Sequence, residues 1–431
     1  SKFRYTASRM ESLLRKKAWL YSLPFLVVAM LYAILKIVVF PIITDYANTK
    51  LLEISNKNEF IQIQFDKIDF EVLDPRIKIK NIKIKTKKQL SASVKDFEIK
   101  EVGLKVDLFE LLLGKLNFNI LSIDELNLDV EIDELLVESK SKVEFKIAQL
   151  YSILNLIPIQ RFKVDNVNVN IHSHKYKLNY RINESFIRTS YLDSKFLLRM
   201  GIKNSVLKNE KNNSTVPIEF KANVLLSKSN LLAREIFLKV KENNFRLEGM
   251  LDNVDQLNES ATGRVTLLSQ TDLQEIKSIL EEFGLLTLKE KLNGKVTVSG
   301  SLSFSGLKSI DGNIDFTSED IVFDTFNFGT AIIKSEFKKD KVNFSNVDLM
   351  HPAGKVKLSE SSIGLRPPYD FKTNVSSEDF NLQKLFLSLD LKEVPVEMLI
   401  SPKAQCEGAL TNFTAFCKVE AKSAGLKVSS H

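Results

Sequence analysis

Histidine, cysteine, proline and glycine are scarce in this chain of 431 residues, which has 4, 2, 10 and 15 of them. Few glycines leave little room for a phosphate-cradling loop. The one glycine-dotted stretch, GKVTVSGSLSFSG from Gly294, fits turn positions instead. No G-x-x-x-x-G-K-S/T, nucleophile elbow or H-E-x-x-H occurs, and adjacent carboxylates such as Glu281 and Glu282 read as the solvated side of a helix. The expectation is therefore a protein that is not an enzyme and has no cofactor. His172 and His174 in NIHSHKY stand two apart, too few for a metal centre without a distant third ligand, and His351 stands alone in a turn. No metal site is expected. The net charge of +7 is spread as alternating Lys and Glu without a dense basic patch, which argues against nucleic acid.

Phe, Ile, Leu, Val, Asn and Lys are abundant, a composition suited to strands with one wet side. One segment differs. AWLYSLPFLVVAMLYAIL, residues 18–35, carries no charge and matches the ~20 residues needed to cross a bilayer. Lys2, Arg4, Arg9, Arg15, Lys16 and Lys17 precede it, so the N-terminus is expected in the cytoplasm and the bulk exported. Trp19, Phe25, Leu26, Val27, Val28, Leu31, Ile34 and Leu35 are the anchor candidates. A cleaved signal peptide would have a shorter apolar core and a small-residue cleavage site, and neither is present.

From Phe60 onward the period is two. FIQIQF places Ile61, Ile63 and Phe65 on one face. RIKIKNIKIK does the same with Ile77 and Ile79, and its phase shifts at Asn81. DNVNVNI (Val167, Val169, Ile171), KYKLNYRI (Leu178, Tyr180) and KVTVSGSLSF (Val296, Val298, Leu302, Phe304) continue the pattern. Short clusters of Asn, Asp, Gly and Ser between runs predict antiparallel meanders. Helical patterns are few: VDLFELLLGK (106–115), KIAQLYSILNLIP (146–158), TDLQEIKSILEEFG (271–284) and DFNLQKLFLSL (379–389). The last two open units of helix plus hairpins that resemble each other, a weak internal repeat.

A one-faced sheet must bury its apolar side, and these helices are too short to cover so many strands. Closure into a sandwich or barrel is one solution; an open trough holding something outside the chain is the other. Cys406 and Cys417, in AQCEGALTNFTAFCKVEA, face each other if Thr411-Asn412 turns a hairpin. They are a disulfide candidate in an exported protein, or two small residues on one face.

The stretch IKEVGLKVDLFELLLGKLNFNILSIDELNLDVEI, residues 99–132, resembles the N-terminal signature of the AsmA-like family, which includes the TamB type. Val102, Val106, Asp107, Leu108, Leu111, Leu112, Gly114, Lys115, Leu116, Phe118, Ile120, Leu121, Ile123, Leu126, Leu128 and Val130 fill its pattern, while Glu125 stands where that family often has proline. The resemblance implies a mostly β fold: an N-terminal transmembrane helix followed by a long, curled antiparallel sheet that forms an open groove. It implies a bacterial inner-membrane protein whose periplasmic groove conducts phospholipid between the inner and outer membranes. Expected partners are phospholipid, the inner membrane and other envelope proteins. Leu116, Phe118, Ile120, Leu126, Leu128 and Val130 join the groove candidates named above. The alternative is a structural scaffold of a secretion or motility machine. The organisation expected is a basic tail (1–17), anchor (18–43), AsmA-like β region (44–140), groove repeats (141–270 and 271–375) and the start of a further repeat (376–431). At ~4.8 Å per strand, fifteen to twenty-five strands reach roughly 70–120 Å. The ending GLKVSSH reads as a strand and suggests a chain continuing past His431.

Overall fold

The computed structural model describes residues 61–71, 76–86, 94–107, 118–133, 160–192, 194–253, 261–306, 310–389, 391, 396–412 and 414–428. It also describes Glu110 and some positions between 29 and 53. The predicted anchor residues Trp19, Phe25, Leu26, Val27, Val28, Leu31, Ile34 and Leu35 lie outside these, as do Leu116 and the helical candidate at 146–158. No helix among the described residues is long and apolar enough to cross a membrane. Of the expected plug at 106–115, Glu110 is helical, and its backbone N–H donates to Asp107 Oδ1 at 3.3 Å. The protein is mostly β, and two compact units divide at Val167/Asn168 within one strand.

The first unit holds β1 (Ile61–Gln64), β2 (Lys67–Glu71), β3 (Arg76–Thr86), β4 (Val94–Val106), β5 (Phe118–Glu131) and the start of β6 (Arg161–Ser173). β1 and β2 share one edge of β3, which pairs antiparallel with β4, and β4 with β5. Ile68, Ile77, Ile79, Ile82, Ile99 and Val106 form its buried core. The Asn81 phase shift has a backbone cause. Asn81 has φ of +53°, the left-handed region that Asn tolerates, and it keeps Ile79 and Ile82 on one face though they are three apart. The break crosses the strands in line. Ile99 and Val102 on β4, and Ile123 and Leu126 on β5 around Glu125 (φ +54°), repeat the three-residue step. Val164 and Val167 repeat it around Asn166 (φ +56°), whose amide donates to Asp124 Oδ1 at 2.8 Å.

Ile120 was expected on the groove face. It pairs with Lys105, one position off the apolar row of Leu104 and Leu121, and so sits on the opposite face. The register slips between Val106–Phe118 and Lys105–Ile120, so simple alternation outward from Phe118 assigns the wrong side.

The second unit continues with β7 (Leu178–Leu192), β8 (Lys195–Asn209), β9 (Thr215–Leu226), β10 (Leu231–Val240), β11 (Asn243–Asp252) and β12 (Thr262–Asp272). Helix α1 (Leu273–Glu282) follows, then β13 (Leu292–Ser305), β14 (Ile310–Phe323), β15 (Phe326–Lys339), β16 (Lys341–His351), β17 (Gly354–Gly364), β18 (Asp370–Ser377) and β19 (Phe380–Asn381). Helix α2 (Leu382–Ser388), β20 (Val396–Ala409) and β21 (Thr414–Val428) complete it. Each strand from β7 to β18 pairs antiparallel with the next, β18 and β19 both pair with β20, and β20 pairs with β21. Among the described residues no pairing returns from β21 to an earlier strand, so the sheet is open: it is neither a closed barrel nor the curled groove expected from the sequence, because no strand pairing draws its two ends together.

Candidate functional site

Directly opposed residues in an antiparallel sheet share a face, so the register can be followed from strand to strand. One row in the second unit runs Ser185, Ile202, Phe220, Leu238, Phe245, Ser269, Val298, Phe316, Ile333, Val347, Leu358, Val375, Ala404 and Val419. It crosses fourteen strands, and all but two of its side chains are apolar. Thirteen steps of ~4.8 Å make a path of about 62 Å. A second row on the same face runs Thr189, Leu198, Val224, Ala233, Gly249, Val265, Leu302, Gly312, Phe337, Val342, Ile363, Phe371, Gly408 and Ala415.

The other face carries the polar complement. Its row reads Glu248, Thr266, Ser301, Asn313, Glu336, Asn343, Ser362, Lys372 and Glu407. The apolar face is not sealed. Most of its side chains, including Phe220, Phe316, Ile333 and Leu358, are half-buried rather than buried. Between β15 and β18 it deepens to a cavity of about 350 Å³ lined by Ile333, Phe344, Val347, Leu358 and Phe371, with Leu410 among its walls. The strand phase breaks here too, at Phe344 to Val347 and around Glu360 (φ +48°), whose carboxylate accepts from Asn374 Nδ2 at 2.9 Å.

The sequence candidates distribute as follows. Val298 and Leu302 lie in the two long rows, and Phe304 extends the face beside Gly263 and Ile310. Val296 opposes Ser318 on the same face. Tyr180 opposes Leu207, and its hydroxyl meets Ser205 Oγ at 3.0 Å; Leu178 opposes Asn209. Val169 and Ile171 are half-buried on β6. In the first unit Ile63 opposes Ile84, Ile77 opposes Leu104, Ile79 opposes Val102, Leu126 opposes Ile99 and Leu128 opposes Phe97. Val130 opposes Val94, Ile61 opposes Thr86, Phe118 opposes Val106, and Val167 is buried. Phe65 packs on the unit's core. Sequence reading missed most of the floor between β8 and β18, such as Phe220, Phe316 and Val347. The signal was present as alternation, but bulges at Ala233/Ile236 and at Lys334/Ser335 interrupt it.

Two features edge the face. Cys406 and Cys417 oppose each other on β20 and β21, on the apolar side beside Thr373, and are disulfide-bonded. His351, at the β16–β17 turn, stacks between Phe326 (5.2 Å) and Phe380 (5.9 Å). Its Nδ1 accepts from the Ala353 N–H at 3.0 Å, and burial holds its pKa below the ordinary 6.5. The His172 and His174 rings lie 5.2 Å apart, edge to face.

Helix α1 runs beside the same apolar side. Asp272 caps its start by accepting from Glu275 N–H at 3.0 Å. The fully buried Asn243 accepts from Asp272 N–H at 2.7 Å and donates to Glu275 Oε2 at 2.6 Å. At the other end the Glu282 carbonyl accepts from Asn209 Nδ2 (2.6 Å) and Asn212 Nδ2 (2.9 Å). No family model matches this sequence, and no curated protein matches it.

Proposed function

We propose that this chain is a membrane-anchored, exported groove protein that binds acyl chains and conducts phospholipid between the inner and outer membranes of a bacterial envelope, without catalysis. The observation that carries this reading is the apolar row of fourteen strands, most of whose side chains are half-buried rather than buried, with helix α1 beside only part of it. Apolar area of this extent on a folded protein is normally a binding surface. Each methylene removed from water gains ~0.8 kcal/mol. A floor with no charged side chain in its two rows offers many near-equal positions, so a chain can slide without one deep trap. The anchor reading draws on the apolar run of residues 18–35. It draws also on Met30, Ile37 and Ile42, which are 62%, 72% and 64% exposed among helical neighbours.

The resemblance to the AsmA-like family supports the same reading. The chain departs from that family's pattern at position 125. Proline is confined near φ −65°, and Glu125 sits at +54°. Lipid mass spectrometry of the chain purified in mild detergent tests the proposal: enriched phospholipid supports it, and its absence refutes it.

A scaffold role is the second reading, and β21 favours it. Among the described residues this 15-residue strand is paired only to β20, and its Phe416 is 75% exposed. Such an edge can accept a partner strand.

A further inference from the structure

We infer that helix α1 is a latched flap over the β8–β12 part of the apolar face, and that its release is the step that admits an acyl chain there. The inference rests on the lipid-groove reading. The apolar stripe of α1, formed by Leu273, Ile276, Ile279 and Leu280, is half-buried, and no residue of the helix is fully buried. A ten-residue helix without a buried side chain gains little from packing, since most helical stability in proteins comes from burying an amphipathic face.

What holds α1 is instead a set of side-chain amides at its two ends, which are unequal, together with Lys277, whose Nζ donates from mid-helix to the Glu290 carbonyl at 2.8 Å in the segment that leads into β13. The N-terminal end is locked. Asn243 is fully buried and makes three bonds there, to Asp272, to Glu275 and to the Val240 carbonyl (3.1 Å), and the helix also continues directly from β12. The C-terminal end is held to the β8–β9 hairpin by the bonds that Asn209 and Asn212 donate to one carbonyl, that of Glu282, across 73 and 70 residues of sequence. Gly284 follows at φ +68°, with no atom within 4 Å of the side-chain position it lacks, and Leu285 beyond it is 75% exposed. A fixed hinge, a two-bond latch and an unpacked exit are the parts a swinging helix needs, and the Lys277–Glu290 bond joins the helix to the segment that follows it rather than to the floor. The face beside which the helix runs is apolar, with Phe220, Leu238 and Phe245 in one row, and the flap proposal has the helix stripe and a lipid chain compete for it.

Two variants of the full chain test this. N209A/N212A cuts the latch, whereas Asn212→Cys with Glu281→Cys, bridged by a bismaleimide, shuts it. Loading is followed with fluorescent acyl-labelled phosphatidylglycerol offered in phosphatidylethanolamine/phosphatidylglycerol vesicles. The latch variant is expected to load roughly tenfold faster than the native chain, from the loss of two bonds of modest net strength, and the bridged variant to load more slowly. Hydrogen exchange is expected to show α1 amides opening faster in N209A/N212A while β11–β13 amides stay protected. Equal loading rates in all three forms would overturn the flap and leave the groove intact. No loading in any form would overturn the groove reading and the flap's role with it. An α1 that exchanges in step with β11–β13 in both native and latch-variant protein would also overturn the flap.

Discussion

The Lys100 ammonium donates to the Glu125 carboxylate at 2.6 Å, from β4 to the left-handed residue of β5 that lies between Asp124 and Leu126, the partners of Glu101 and Ile99. On β3 the left-handed Asn81 likewise lies between Lys80 and Ile82, the partners of Glu101 and Ile99. The carboxylate raises the pKa of Lys100. Both charges are largely exposed, so the pair marks the phase break rather than stabilising it.

Backbone, not charge, is therefore what position 125 requires. Glu125→Pro is expected to destabilise the first unit by more than about 1 kcal/mol, because proline cannot reach φ +54°. Glu125→Gly is expected to match or exceed the native midpoint in urea, since glycine adopts this angle without strain. Equal loss in both variants would assign the position to the ion pair instead.

Gly312 stands between Leu302 and Phe337 in the second apolar row, at φ +149°. A Cβ there would run into the Ser301 carbonyl oxygen. Gly312→Ala is expected to cost more than about 1 kcal/mol in urea unfolding. A neutral result would mean that the row is not packed strand to strand as described.

The disulfide joins the last hairpin across a sequence separation of 11. Chain-entropy reasoning for a loop of this size gives roughly 3 kcal/mol. Cys406→Ser with Cys417→Ser is expected to speed amide exchange in β21 and leave β7–β15 protected. Unchanged β21 protection would show that strand pairing alone holds the edge.

His351 supplies a pH dependence. Its folded pKa lies below the ordinary 6.5 because of burial, so the unfolded chain takes up the proton first. Its contribution is therefore complete above about pH 6.5 and is lost as pH falls below that value. His351→Phe is expected to keep the stack with Phe326 and Phe380 and to remove this component. The native and variant stability curves should diverge only below pH 6.5, and parallel curves would contradict the assignment.

Much of the fold was legible because alternation is a direct imprint of a one-faced strand. The helices near Leu273 and Leu382 were legible from their Asp272 and Asn381 caps and apolar spacing. Asn81 was legible as a phase shift, since its neighbours alternate so strictly. Glu125 was not, because a glutamate gives no compositional sign of a left-handed angle. Ile120 was misplaced because register is decided between strands, and the slip at Lys105/Val106 leaves no trace in the β5 sequence itself. The floor rows and the Asn209–Glu282 latch join residues far apart in sequence, so pairing alone reveals them.

The central claim is that the apolar face holds lipid. The most direct measurement is mass spectrometry of phospholipid co-purified with the full chain, native and with Phe316→Glu and Ile333→Glu in the first apolar row. Glu336→Gln on the opposite face serves as control, and circular dichroism confirms that each variant folds. The account predicts phospholipid enriched with the native chain and the control and lost from the two row variants. Phospholipid absent from the native chain, or undiminished in folded Phe316→Glu and Ile333→Glu, would contradict it.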